Sequence, residues 1–297
     1  MSASASAKWL VIVAIALLDA AWAAAGGFRV APGGLLPVAA AVAALLAITV
    51  FYERSGRSER LAGFAHHAAQ FLAFFAAAGT FSYLVVSTNA PLMDAALAEA
   101  DRAIGFDWPA WFAWMRAHPA LRIALALAYA SLIPQVVLCL MWLTLSGRLD
   151  RSSELLWTMI VSLTVTIPIS GLWPAASAWA YYQVGDLVNM MHMPHFTALR
   201  DGSLRVIDLT KMEGLITFPS FHTTLAMLLT YAARHRFAAL AGFGLVNGAL
   251  IVSVPAEGGH YVVDAFAGAA IAMVAIWAAR RLEAALAERP AMAVAAS

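Results

Sequence analysis

Residues 214–229 read GLITFPSFHTTLAMLL, an apolar run whose start carries a proline, a hydroxyl and an imidazole. Composition decides what surrounds it. Of 297 residues 63% are hydrophobic and 12% charged, about half the charged share of roughly 25% usual in soluble domains, so the chain reads as a membrane protein. Runs close to the ~20 apolar residues that cross a bilayer occur at 8–26, 32–52, 63–88, 119–145, 155–173, 216–233, 237–254 and 261–279. The expected fold is therefore all-α, a polytopic bundle of about eight transmembrane helices. A formal net charge of +1 offers no basic surface for nucleic acid. Cys139 is alone and sits in an apolar run, so it forms no internal disulfide and is read as packing.

Eight spans place the connections 53–62, 146–154 and 234–236 and the C-terminal tail on one side. They hold Arg54, Arg57, Arg60, Arg148, Arg151, Arg234, Arg236, Arg280, Arg281 and Arg289, and Lys8 joins them. The positive-inside rule makes that side cytoplasmic, with both termini inside. Lys8 with the small residues of AWAAAGG also fits a cleaved signal peptide; Asp19 interrupts that run, and a retained helix is the expectation. The outer side carries two long segments, 89–118 and 174–215. Within the first, Trp108, Trp111, Phe112 and Met115 fall on neighbouring helical positions, which suits a helix anchored in the interface. There is no repeat at a fixed period, so one membrane domain is expected.

Pro219 suits the first turn of a helix, where its missing N–H costs nothing. Ser220 and His222 then lie at an outward-facing N-terminus, whose free amides and dipole attract anions such as phosphate. The next outer connection reads SVPAEGGHYVVDAFAGAAIA from Ser253. His260 and Asp264, four residues apart, share a helix face, so the carboxylate can hold the imidazole's tautomer and raise its basicity. Gly258 and Gly259 allow close backbone approach just before the histidine. One attacking nitrogen backed by a carboxylate, and one proton donor for the leaving oxygen, is the division of labour of phosphoryl transfer. That chemistry also needs cations on the phosphoryl oxygens. Arg200, Arg205 and Lys211 lie in the adjacent outer loop, with Arg200 the first choice for a bidentate clamp.

Other polar residues read as structural: His66 and His67 at an inner helix end, Asp19 as a buried polar contact, Tyr129 and Gln135 as interhelical links, Tyr181 and Tyr182 as interfacial anchors. His192 and His195 have a metal-like spacing but no matching carboxylate or thiolate cluster, so no metal is expected.

The paired motifs FPSFH and GGHYVVD resemble the second and third signatures of the type 2 phosphatidic acid phosphatase superfamily, integral-membrane lipid phosphatases and phosphotransferases. Pro219, Ser220, Phe221 and His222 match its PSGH, with Phe for Gly. Ser253, His260 and Asp264 match SRxxxxxHxxxD, with Val254 in place of the arginine. The first signature, KxxxxxxRP, is missing: the only lysines are Lys8 and Lys211. Inositol phosphotransferases, fungal inositol phosphorylceramide synthases among them, form the branch that EGLITFPSFHTTLA, GGHYVVDAFAGA, DRAIGFDWPAWFAW and LWPAAS resemble most.

The resemblance implies that His260 attacks phosphorus to give a phosphohistidine, that Asp264 orients it, that His222 protonates the leaving alkoxide and that Ser220 holds a phosphate oxygen. Arg200 and Lys211 would substitute for the missing cations. It also implies a six-helix core over 63–282, preceded by two added helices in 1–62 and followed by a cytoplasmic tail, 283–297. No cofactor or metal is implied; the partners would be a phosphorylated lipid in the bilayer and, for transfer, an alcohol acceptor. The site would face outward from an inner membrane. Hydrolysis and transfer both remain open. A transporter or flippase relaying protons through His and Asp is the competing class, and an intramembrane serine hydrolase at Ser220 lacks the GxSxG setting.

Overall fold

The structure, a computed structural model, describes residues 2–295 and the side chains of residues 2–287. Two helices open the chain, α1 (Ala3–Gly26) and α2 (Pro32–Ser55), followed by the long α3 (Glu59–Val86). Short helices α4 (Asp94–Ala103) and α5 (Trp108–Ala117) form an arm between α3 and the next long helical pair. The chain then re-enters through α6 (Pro119–Ala130) and α7 (Leu132–Leu145) and returns along α8 (Leu149–Leu172). After α9 (Ala178–Tyr181) and α10 (His192–Arg200) come α11 (Phe221–Ala232), α12 (Phe237–Glu257) and α13 (Val262–Ala295). A two-residue parallel pairing of Arg29–Val30 with Val206–Ile207 ties the α1–α2 turn to the second outer segment.

Local chemistry sets the ends. Ser2, Ser58 and Asp107 cap α1, α3 and α5 with side-chain oxygens that accept from the third amide beyond each, satisfying donors that have no partner inside the helix. α6 and α7 meet at a 50° bend. Pro134 sits in the first turn of α7, where its ring cannot follow an unbroken helix.

Among the described residues six helices, α1, α2, α3, α8, α12 and α13, are long and apolar enough to cross a membrane, and the bent α6–α7 pair would make seven. The protein is a multi-pass all-α membrane protein. The segment expected as a further span at 216–233 holds α11, whose 12 residues rise about 18 Å, short of a ~30 Å hydrocarbon core. α3 and α8 are the central helices, whereas α1, α2 and α12 turn most of their apolar surface outward. Leu10, Leu36, Leu245 and Phe237 are all more than 60% exposed, which water would penalise and lipid tails would not.

Three local expectations change. The segment 101–119 is not one interfacial helix: Trp108, Phe112 and Met115 are buried against protein, and Trp108 stacks on Phe112 and Tyr182. Residues 283–295 of the expected tail continue α13 without a break, while Ala296, Ser297 and the side chain of Arg289 lie outside the described residues. Lys8 is not an exposed marker. Its buried ammonium donates to Ser4 and Ser153 and pairs with Glu283 at 3.3 Å.

Candidate active site

The N-terminus of α11 and the N-terminus of α13 are fastened to each other. The backbone N–H of Ser220 donates to the carbonyl of Asp264 (3.0 Å), and Thr224 Oγ1 donates to the carbonyl of Gly268 (2.8 Å). Ser220 is the N-cap of α11, its Oγ accepting from the Thr223 amide. Pro219 therefore stands before the cap, after a cis bond to Phe218, not in the first turn. Ser220 has an extended backbone (ψ 105°) and its own side chain serves as the cap, so the helix begins one residue after it, at Phe221.

This fastening brings His222 and His260 together. Their ring centroids are 5.6 Å apart and their planes 70° apart. His260 lies in the connection between α12 and α13, where Gly259 adopts φ +64° and a side chain there would run into the Trp179 ring. The imidazole Nδ1 lies 2.7 Å from the carbonyl oxygen of Thr217 and 3.3 Å from Asp264 Oδ2. A carbonyl only accepts, so Nδ1 carries the proton and the neutral ring keeps its lone pair on Nε2. Burial lowers the pKa of His260 from 6.5 to about 4, against an opposing contribution from the Thr217 hydrogen bond.

Asp264, expected to hold that tautomer, lies within reach of the ring but shares the task. Its Oδ2 also accepts from the Tyr261 amide (2.8 Å), and the closer partner of the ring is a backbone carbonyl. Any residue at 217 could supply it, so no sequence signal marks it. Tyr129, expected as a plain interhelical link, stacks on His222 with centroids 4.5 Å apart and its hydroxyl 3.4 Å from Nδ1. Two buried polar atoms at the same helix mouths have no partner among the described residues: Thr223 Oγ1 and Asp264 Oδ1.

The three loop cations named from sequence differ in placement. Arg200 donates through Nη2 to the carbonyl of Ala90 (2.8 Å), while its Nη1 is buried without a partner. Lys211 is 76% exposed and pairs with Asp208 at 3.5 Å. Arg205 donates to the carbonyls of Gly202 and Gly26 and lies over Phe28. A cation the sequence did not single out, Arg122, pairs with Glu257 at 3.2 Å and lines a cavity of about 220 Å³ with Phe112 and Trp179.

His192, of the metal-like pair, lies beside the site, its Nε2 3.4 Å from the carbonyl oxygen of Ala176 and its ring 6.2 Å from that of Trp179. His195 Nδ1 meets the Tyr83 hydroxyl at 2.6 Å, and His67 Nδ1 meets Ser152 Oγ at 2.6 Å. Asp19 is buried, with neither oxygen partnered. The largest cleft, about 730 Å³, opens near Glu283 at the far end of α13. That end lies some 19 residues and roughly 28 Å along the helix from Asp264, so cleft size and the histidine chemistry point to different ends of the molecule. The chemistry is the better guide, since a paired His site can be narrow and filled by its own side chains.

Among known proteins, a family model described as the PAP2 superfamily matches residues 95–278, from the start of α4 into α13. No curated protein and no solved structure matches the chain.

Proposed function

We propose, starting from the fact that the chain belongs to the PAP2 superfamily, that it is a metal-independent lipid phosphatase or phosphotransferase working through a phosphohistidine. Members of that superfamily act as phosphatases and phosphotransferases on phosphorylated lipids in membranes. The observation that carries the finer reading is the Thr217 carbonyl at 2.7 Å from His260 Nδ1, which leaves the Nε2 lone pair for phosphorus.

In the first step Nε2 of His260 bonds to phosphorus and the bond from phosphorus to the lipid oxygen breaks. His222 gives its proton to that alkoxide; the negative charge of the bound phosphate favours the protonated ring. As the His260 ring becomes cationic, Asp264 Oδ2 at 3.3 Å stabilises it. In the second step water or an alcohol attacks phosphorus, its proton passes to His222, and the P–N bond breaks. Ser220 at the cap holds a phosphate oxygen. Arg200 and Lys211 neutralise the phosphoryl oxygens, Arg200 with a buried, unpartnered Nη1 to offer.

The acceptor decides between hydrolysis and transfer, and the motif pattern favours an inositol phosphotransferase-like acceptor chemistry. The arginine-rich connections support an orientation with both termini cytoplasmic and the histidines facing outward from an inner membrane; it takes the short α11 as the eighth crossing, because α11 carries the chain from beside the start of α13 to the start of α12, whose other end returns to His260. The direct test incubates purified protein with lipid phosphates, with and without inositol or a lipid alcohol, and follows inorganic phosphate against new phosphodiester. Either product that requires both His260 and His222 supports the reading; transport of lipid without turnover, or turnover surviving His260→Ala and His222→Ala, overturns it.

A pH profile gives a second check. Protonation of Nε2 removes the attacking lone pair, so lowering the pKa of His260 from 6.5 to about 4 keeps the nucleophile available in mildly acidic solution. We expect kcat/KM of this group's limb to fall only as pH drops through about 4. An acid limb at 6.5 would mean the histidine is not buried as described.

A further inference from the structure

Residues 101–119 read from sequence as a membrane anchor, yet three buried residues of the arm formed by α4 and α5 reach four consecutive residues, 260–263. Asp94, Asp101 and Trp108 recur every seventh residue, and all three are buried. Trp108 Nε1 donates to the carbonyl of His260 (3.0 Å). Asp94 Oδ1 accepts from the Tyr261 hydroxyl (2.9 Å). Asp101 accepts from the amides of Val262 and Val263, one per carboxylate oxygen, both at 2.9 Å.

The first amides of a helix have no partner within it. In α13 they are satisfied by a carboxylate about 160 residues away in sequence, whose charge also suits the positive end of the helix dipole. Asp94 in addition accepts from the amides of Ala176 and Ser177 (2.9 and 3.1 Å), and the carbonyl of Ala176 lies 3.4 Å from Thr217 Oγ1. The arm thus grips the His260 turn directly and, through residue 176, the strand of chain that supplies the Thr217 carbonyl. The hydrogen bonds of these three side chains go to backbone atoms and to the Tyr261 hydroxyl, not to either imidazole.

We propose that Asp94, Asp101 and Trp108 are positioning residues: the arm clamps residues 260–263 so that the Nε2 lone pair of His260 is held at a fixed angle to the phosphoryl group. This inference rests on the phosphohistidine reading for its effect on rate, and on geometry alone for the clamp. A misplacement of about 1 Å at a reacting atom can cost on the order of 100-fold in rate. A plain anchor would instead alter lipid access, and so KM.

The test uses the purified full-length protein and the variants Asp101→Ala, Asp101→Asn and Trp108→Phe. Steady-state turnover of a lipid phosphate, thermal midpoint and backbone amide exchange across 260–264 are measured on each. We expect kcat to fall about 30-fold in Asp101→Ala and about tenfold in Trp108→Phe, with KM within about twofold. Asp101→Asn, which keeps one accepting oxygen, should recover part of the loss. Exchange at Val262 and Val263 should quicken in Asp101→Ala while the rest of α13 stays protected.

An unchanged kcat per folded molecule, or a rise in KM alone, overturns the clamp. If Asp101→Ala does not fold, Trp108→Phe, which keeps a ring and removes only the N–H donor, carries the kinetic test. Should the parent protein turn over no lipid phosphate, the functional reading fails, and the exchange measurement still decides the clamp: unaltered protection at Val262 and Val263 in Asp101→Asn and Asp101→Ala overturns it.

Discussion

His260→Ala is expected to lower kcat by at least about 10⁴-fold, the scale seen when a covalent nucleophile is removed, while leaving the fold intact. The ring is buried, but its polar contacts are to a backbone carbonyl and to Asp264 Oδ2, and that oxygen keeps the Tyr261 amide at 2.8 Å when the ring is gone. Only the interaction with the ring proton is lost. His222→Ala should differ in kind. The P–N bond could still form with a good leaving group, so an activated aryl phosphate should phosphorylate His260, releasing the aryl oxide, faster than water removes the phosphoryl group, and labelled phosphate should accumulate on the chain. The check is retention of ³²P on denatured protein: base-stable, acid-labile label in His222→Ala, and none in the His260→Ala, His222→Ala double variant. Equal labelling of both would place the phosphoryl group on a residue other than His260.

The two histidine motifs were legible because each is local: FPSFH and GGHYVVD announce a polar helix mouth in an apolar chain, and the hydropathy of the long helices follows from composition alone. What surrounds them was not. The apolar pattern of Trp108, Phe112 and Met115 is the same whether lipid or protein covers it, so sequence could not tell an anchor from a buried arm. The Thr217 carbonyl is a backbone atom that any residue provides. Tyr129 reaches His222 across 93 residues of sequence. The bend between α6 and α7 falls beside Pro134, inside a 27-residue stretch, 119–145, whose largely apolar composition reads as one span. The helix cap was a closer contest: Pro219 at the first turn and Ser220 at the cap are both good local chemistry, and the extended Ser220 with its Oγ on the Thr223 amide is the one the fold adopts.

The close approach of α11 and α13 also makes Gly268 sensitive to substitution. A Cβ at Gly268 would collide with the carbonyl oxygen of Ser220 and press on Thr224 Oγ1, and both belong to the fastening between α11 and α13. Backbone atoms cannot rotate away, so the helices must separate. We expect Gly268→Val to cost about 2 kcal/mol of stability, typical of overpacking, and about 100-fold in kcat as His222 shifts relative to His260. Gly248→Ala is the matched control. It is also a glycine inside a helix, nothing lies within 4 Å of its Cβ position, and the higher helix propensity of alanine, up to about 1 kcal/mol, should leave stability unchanged or slightly raised with full activity. Thermal midpoints and turnover on the two variants separate the cases. If Gly268→Val behaved like Gly248→Ala, the α11–α13 contact would not be what holds the two histidines 5.6 Å apart.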